Sequence, residues 1–168
     1  MTTMLAALLV VSLGALGALQ HPSMPAGMSH EDHLKQMQKE ADLKRRGDAA
    51  MGFDQDKTTH HFRTRADGGA IEVDVKDPSD TASLAQVRAH LKEIASAFKN
   101  GDFGKPMETH AEVPPGVLVM QRLAGEITYS YADTPKGGAV TIRTANTDAL
   151  AAIHEFLDYQ IREHHTAR

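Results

Sequence analysis

The chain has no cysteine and no tryptophan, and only 5% of its 168 residues are aromatic. The absence of cysteine excludes disulfides, thiolate zinc sites and thiol catalysis, so methionine is the only soft metal ligand available. An excess of one charge is also missing, because 18 basic and 22 acidic residues leave a formal net charge of -4. Without a positive field to gather phosphates, nucleic acid is not expected as a partner.

A hydrophobic run long enough to span a membrane is lacking as well. The uncharged run MLAALLVVSLGALGAL at residues 4–19 is shorter than the ~20 residues that a spanning helix needs. Its length is typical of the h-region of a signal peptide, although residues 1–3 carry no Lys or Arg. We therefore predict a signal peptide at residues 1–19, a periplasmic or otherwise extracytoplasmic location, and no membrane span after processing.

A polar segment that contains His and Met follows at residues 20–50, and its second half predicts a helix. Ser29 is a suitable N-cap, and basic residues precede a predicted stop at Gly47. The apolar stripe is thin, with Leu34 and Met37 as its larger members. We therefore expect this helix to dock weakly or to be mobile.

Two similar strand-strand-helix units make up the predicted domain at residues 51–168. GGAIEVDV at residues 68–75 and GGAVTIRT at residues 137–144 reveal the internal repeat. In each unit, period-two alternation predicts two strands around a turn, and an apolar face with helical spacing follows. We predict an α+β fold in which the two ββα units form one antiparallel sheet with both helices on one face, preceded by the N-terminal helix. Residues 102–125 predict a long Pro-rich connection.

The stretch MGFDQDKTTHHF at residues 51–62 resembles a family of uncharacterised exported bacterial proteins. ADGG at residues 66–69, EVPPG at residues 112–116 and ITYSY at residues 127–131 extend the resemblance over nearly the whole mature chain. The resemblance implies export and the domain plan given above. Members of this family sometimes carry the name carbamoyltransferase, but the Ser-Thr-Arg-Thr phosphate loop of that enzyme does not occur in this much shorter chain.

Histidine and methionine are abundant, and three of them form a local set in the predicted N-terminal helix. His30, His33 and Met37 are three and four residues apart, so their side chains can converge on one helix face. Thioether sulfur favours Cu(I), whereas imidazole also accepts Cu(II), Zn(II) and Ni(II). A His/Met set without Cys fits copper best. The alternative is a solubilising segment in which Met37 only packs.

A second candidate set of metal ligands contains Met51, His60, His61 and His90. Strand alternation predicts that His60 faces the core together with Phe62, and that His61 faces the opposite side. His60 and His61 therefore do not share a site easily, but His90 can reach His60 where its helix covers the sheet. The alternative is one hydrogen-bonded core histidine and one exposed histidine.

A third candidate set lies in the predicted connection, where Met107 and His110 could form part of a lid or a ligand set. Ordinary packing of Met120 in this segment is the alternative. No Gly-rich phosphate loop, H-E-x-x-H or G-x-S-x-G motif occurs, so we assign no catalytic residue and do not expect an enzyme.

The leading hypothesis is a periplasmic transition-metal binding protein, with copper as the first choice of metal. The alternative is an exported interaction or small-molecule binding module without metal, in which His61, Arg63, Arg65 and Arg143 on the open sheet face receive an acidic partner. A hydrolase or lyase that uses the His61 region is the third hypothesis. Exposed hairpin edges also allow a homodimer.

Overall fold

A computed structural model describes residues 28–166, which contain five α-helices and four β-strands. The helices are α1 (His30–Met51), α2 (Thr81–Lys99), α3 (Gly104–His110), α4 (Val117–Arg122) and α5 (Thr147–Glu163). The strands are β1 (Thr58–Arg65), β2 (Gly68–Val75), β3 (Ile127–Thr134) and β4 (Gly137–Thr144). No helix within residues 28–166 is long and apolar enough to cross a membrane. The predicted signal peptide at residues 1–19 lies outside the described residues.

The four strands form one antiparallel sheet in the order β1-β2-β4-β3, which confirms the predicted α+β fold. Each hairpin supplies one central and one edge strand, so the two units join along the β2–β4 seam. Glycine is required there, because a Cβ at Gly68 would lie 2.1 Å from the Ile142 carbonyl oxygen. Its counterpart Gly137 would place a Cβ 1.8 Å from the Val73 carbonyl oxygen. The two ends of the seam therefore have the same construction.

The helices α2 and α5 cover the same face of this sheet, as predicted. Asp80 and Asn146 cap their N-termini through side-chain oxygens, which accept backbone N–H groups of the first turn. Both helices bury an apolar stripe against the strands. The fully buried residues of these stripes and strands include Val73, Val87, Leu91, Phe98, Val140, Ile142, Ile153, Phe156 and Leu157.

The N-terminal helix is longer than its sequence predicts. The predicted stop at Gly47 is wrong, since α1 continues to Met51 and ends at Gly52, which has the left-handed φ of 73°. Gln55 packs over Gly47, at a point where its Nε2 would be 2.4 Å from a Cβ. That amide also donates to the Lys44 carbonyl oxygen at 3.0 Å. The absence of a side chain at Gly47 thus leaves room for Gln55 to pack against the helix.

The second half of α1 is docked rather than free, because it is hydrogen-bonded to α3. Arg46 Nε donates to the Thr109 carbonyl oxygen at 3.0 Å, and Lys105 Nζ donates to the Ala50 carbonyl oxygen at 2.9 Å. These two bonds hold the short helix α3 in place. The expectation of a weakly docked helix therefore fails for this half of α1.

The predicted Pro-rich connection at residues 102–125 contains two short helices, α3 and α4. Phe103, Val117 and Met120 from this segment are fully buried in the core. Met120 therefore packs in the ordinary way, as the alternative reading of that segment predicts. The connection is a structural layer, and it closes one end of the space between α2 and α5.

Candidate functional site

Four histidines from four different elements meet around one cavity of about 60 Å³, which we call the histidine cavity. His60 comes from β1, His90 from α2, and His110 is the last residue of α3. His164 caps the C-terminus of α5. The other lining residues are Met51, Phe62, Ile71, Val73, Leu91, Ile94, Phe98, Lys105, Pro106, Thr109, Phe156 and Gln160.

Local structure explains how these side chains reach one place. Strand alternation turns His60 to the helix-covered face together with Phe62, as the sequence predicts. His90 lies on the inward face of α2, three residues after Val87, and is only 8% exposed. The hydrogen bonds between α1 and α3 hold His110 over the cavity, where it is also 8% exposed.

The rings form a continuous chain of contacts. The ring centroids of His60 and His164 are 5.5 Å apart, and those of His110 and His164 are 5.4 Å apart. Phe53 connects the fourth member, since its ring is 6.0 Å from that of His60 and 5.4 Å from that of His90. The four imidazoles therefore belong to one aromatic cluster at the edge of the core.

Three buried ring nitrogens in this cluster have no hydrogen-bond partner among residues 28–166. They are His60 Nε2, His90 Nδ1 and His110 Nδ1. The second nitrogen of His110, Nε2, lies 3.0 Å from Gln160 Oε1 and must be the donor, because an amide oxygen only accepts. The lone pair of His110 is therefore on Nδ1. A buried polar atom without a partner lowers the stability of the fold by about 1–3 kcal/mol, so the cluster is destabilising unless something binds to it.

The environment keeps the imidazoles uncharged. Burial, with a smaller contribution from His61, lowers the pKa of His60 from 6.5 to about 4. Burial, with smaller contributions from Lys105 and His60, lowers the pKa of His90 to about 4. Burial and the neighbouring histidines lower the pKa of His164 to about 3. Burial also lowers the pKa of His110. At neutral pH, every member can offer a lone pair, which is the form that metal ions bind.

The internal repeat gives two of these histidines counterparts elsewhere in the domain. His60 and Tyr129 have the same register in their hairpins, and His164 and Phe98 stand at the same distance from the N-caps of their helices. The counterparts are also in contact, although the rings of Phe98 and Tyr129 meet edge to face at 5.8 Å, whereas those of His60 and His164 are stacked. The fold thus places a ring pair at each of the two positions.

The two ring pairs differ in polarity, although the hydroxyl of Tyr129 is also buried without a hydrogen-bond partner among residues 28–166. Gln160 follows the same rule, since its counterpart in α2 is Ile94, which is buried in the core. Packing at the equivalent positions is satisfied by Phe98, Tyr129 and Ile94, and therefore does not by itself explain two histidines and a glutamine. The polar choice costs stability, which indicates that these residues have a role besides packing.

The ring spacing is compatible with a shared metal ion. Two imidazoles that bind one ion at nitrogen–metal distances of about 2.0 Å have ring centroids about 5 Å apart. The two histidine pairs at 5.4 and 5.5 Å are close to that value. Among residues 28–166, however, no three His, Asp or Glu side chains already converge on one point. Rotation of the rings about χ2 is needed to aim the nitrogens at one ion.

The other predicted metal ligands are divided between surface and core. On α1, His30 and Met37 are exposed and His33 is half-buried, away from the histidine cavity. His61 follows His60 in the strand and is not among the cavity-lining residues. Met107 is half-buried against the hydrophobic core. The cavity therefore unites Met51 with His60, His90 and His110 from the predicted sets.

Sequence reasoning missed His164 and Gln160. Helix periodicity offers a signal for His164, because it stands three residues after Ile161 and seven after Leu157 on the inward face of α5. Alignment of the α5 and α2 sequences from their N-caps offers a second signal, since His164 then aligns with the buried Phe98. The distance between His60 and His164 along the chain hides their contact from any local pattern.

The open face of the sheet is less basic than its sequence indicates. Arg63 Nε lies 3.1 Å from a carboxylate oxygen of Glu72, and Arg143 Nε lies 3.3 Å from one of Asp67. These exposed pairs neutralise much of the positive charge that an acidic partner would need.

Comparisons with family models, curated proteins and solved structures found no match. The resemblance noted from the sequence therefore stays a prediction.

Proposed function

We propose that this protein binds a transition-metal ion, copper first, in the histidine cavity and does so in the periplasm. The observation that carries the proposal is the set of three buried imidazole nitrogens without partners. His60, His90, His110 and His164 would hold the ion, and the Met51 thioether is a further donor beside them. The uncharged run at residues 4–19 supports the periplasmic location.

Water is the main competing occupant of the cavity. A volume of about 60 Å³ is several times the ~10–15 Å³ that one water needs, and orphaned nitrogens are ordinary partners for buried water. Water also explains one polar residue in a core. It does not explain why His60 and His164 occupy positions at which the repeat counterparts are Tyr129 and Phe98, and a metal ion does.

The first experiment is metal analysis of the mature protein recovered from the periplasm, followed by titration of the metal-stripped protein with Cu(I), Cu(II) and Zn(II). We expect one ion per chain. Ring ¹⁵N chemical shifts of the four cavity histidines should move on addition of Zn(II) or Cu(I), while those of His30 and His33 stay in place. Shifts confined to His30 and His33 would move the site to α1, and the absence of any uptake would refute metal binding.

The internal repeat supplies a design for the matching variant. His60→Phe together with His164→Phe places two aromatic rings where the counterpart positions hold Tyr129 and Phe98, so the variant should fold. It should lose the bound ion and unfold at a higher temperature than the metal-free native protein, because two buried polar rings become apolar. The control is His30→Gln with His33→Gln, which should bind metal as the native protein does. Undiminished binding by the double Phe variant would contradict the proposed site.

A further inference from the structure

We infer that the histidine cavity selects the monovalent ion Cu(I) over divalent ions such as Cu(II) and Zn(II). This inference rests on the proposed function and adds the charge and class of the ion to it. Its basis is the charge of the cavity wall. Among the lining residues in the described part of the chain, none is Asp or Glu, and the only charged side chain is that of Lys105.

The donors of the cavity are neutral, so no ligand carries a negative charge that would offset the charge of the bound ion. Imidazole, thioether and amide groups bring no negative charge. The energy of a buried ion rises with the square of its charge, so a divalent ion is penalised about four times as heavily as a monovalent ion in the same place. Cavities for divalent ions usually offset that penalty with carboxylates or thiolates.

Lys105 adds positive charge to the wall. Its Nζ is fixed by the Ala50 carbonyl oxygen at 2.9 Å and lies 3.3 Å from a carboxylate oxygen of Glu93. Glu93 is largely exposed, so water screens its charge more than that of the half-buried ammonium group. Lys105 and His90 line the same cavity, so the field of the ammonium group reaches that ring, whereas Glu163 and Glu112, which oppose the lowering of the pKa of His110 by burial, are not among the lining residues. The repulsion between Lys105 and a divalent ion in the cavity is therefore about twice the repulsion between Lys105 and a monovalent ion.

The softness of the donors favours the same ion. Met51 lines the cavity and brings the thioether sulfur, a ligand that suits Cu(I) and contributes little to Zn(II) binding. The remaining wall is aliphatic and aromatic, which excludes the water and anions that would otherwise complete the coordination of Cu(II). Charge and softness therefore point in one direction.

The test is a pair of affinities measured on the full mature chain. Cu(I) affinity is obtained under anaerobic, reducing conditions by competition with a chromophoric Cu(I) chelator, with Ag(I) as a redox-inert check. Cu(II) and Zn(II) affinities are obtained by competition with their own chelators. We expect Cu(I) to be bound at least about a hundredfold more tightly than Zn(II). Each tenfold excess of Cu(I) affinity over Cu(II) affinity should raise the reduction potential of the bound copper by about 59 mV.

Two matched pairs of variants separate the causes. Met51→Leu should lower Cu(I) affinity about tenfold and leave Zn(II) affinity unchanged, whereas Met37→Leu on the exposed face of α1 should change neither. Lys105→Gln keeps a donor for the Ala50 carbonyl oxygen and should raise Zn(II) affinity about tenfold, whereas Lys99→Gln should not.

The outcomes distinguish this inference from the function on which it rests. If Zn(II) or Cu(II) binds to the four histidines as tightly as Cu(I), selection of the monovalent ion is refuted and metal binding stands. If neither Cu(I) nor any divalent ion binds, both proposals are refuted. Unchanged affinities in Met51→Leu and Lys105→Gln would also overturn the inference, because the thioether and the ammonium group would then have no influence on the ion.

Discussion

Acidification of the metal-free protein should unfold it, because its buried histidines resist protonation. An unfolded chain protonates its histidines near pH 6.5, whereas the folded protein holds the pKa of His60 and His90 at about 4 and that of His164 at about 3. The unfolded state therefore binds more protons between these values. Stability contributed by the neutral rings is complete above pH 6.5 and is lost as the pH falls towards 4.

The loss can be estimated for one residue. A pKa lowered from 6.5 to about 4 gives His90 a cost of about 2.5 kcal/mol at pH 4.5, and about 3.4 kcal/mol once both states are protonated. His60 has a pKa lowered to a similar value. Two such costs are a large fraction of the 5–15 kcal/mol that typically stabilises a domain. We therefore expect a steep fall in stability between pH 6 and pH 4.5.

The assay is urea unfolding followed by circular dichroism at pH 7.0, 6.0, 5.0 and 4.5, with a chelator present. The His90→Gln variant lacks one of the groups that bind a proton on unfolding. The difference in unfolding free energy between pH 7.0 and pH 4.5 should therefore shrink by about 2.5 kcal/mol relative to the native chain. Met51→Leu is the control, because it alters the same cavity without a titrating group and should keep the native pH dependence. A His90→Gln variant with an unchanged pH dependence would refute the reasoning.

Three further predictions test the fold that carries the site. Phe98→Ala should lower the unfolding free energy by about 3–5 kcal/mol in chemical denaturation, since the ring is 1% exposed; a loss below 1 kcal/mol would contradict its place in the core. Gly137→Ala should cost about 2 kcal/mol, because its Cβ would lie 1.8 Å from the Val73 carbonyl oxygen, whereas Gly125→Ala, with nothing within 4 Å, should be tolerated. Equal melting temperatures for the two glycine variants would count against the seam. Asn146→Ala should cost about 1 kcal/mol, because its Oδ1 caps α5 through two N–H groups; an unchanged melting temperature would rule out that cap.

Local patterns predicted the sheet and its two covering helices, because each repeat carries its own signals. Alternation around His60 and Phe62 marks an edge strand with one buried face, and Asp80 and Asn146 mark the starts of α2 and α5. Such signals depend on neighbours along the chain, which the sequence displays directly. The N-terminal helix extends past Gly47 because a side chain from a later turn packs there, and no local pattern contains that contact.

The site was predictable only in part, for a related reason. Alternation is enough to turn His60 inward, and helix spacing is enough to bring His90 near it. His110 arrives through α3, a short helix in a Pro-rich segment whose order comes from buried Phe103 and from hydrogen bonds to α1. His164 contacts His60, although the two residues lie near opposite ends of the domain in the sequence. Contacts of this kind depend on the assembled fold and are not written in any one segment.

The contrast between the two ring pairs also predicts an uneven distribution of motion. The ring pair of Phe98 and Tyr129 is buried in the core, with the two side chains 1% and 8% exposed, so the amides around it should exchange with solvent mainly through global unfolding. The end that holds the four histidines carries unpaired polar atoms beside a cavity, so its amides should exchange through smaller, local openings. An ion that ties the imidazoles together should slow exchange at that end alone, with His164 and the last turn of α5 responding most. Each ring pair joins the two repeats, so the pair of Phe98 and Tyr129 would act as a rigid frame and the pair of His60 and His164 as the part that a bound ion stiffens.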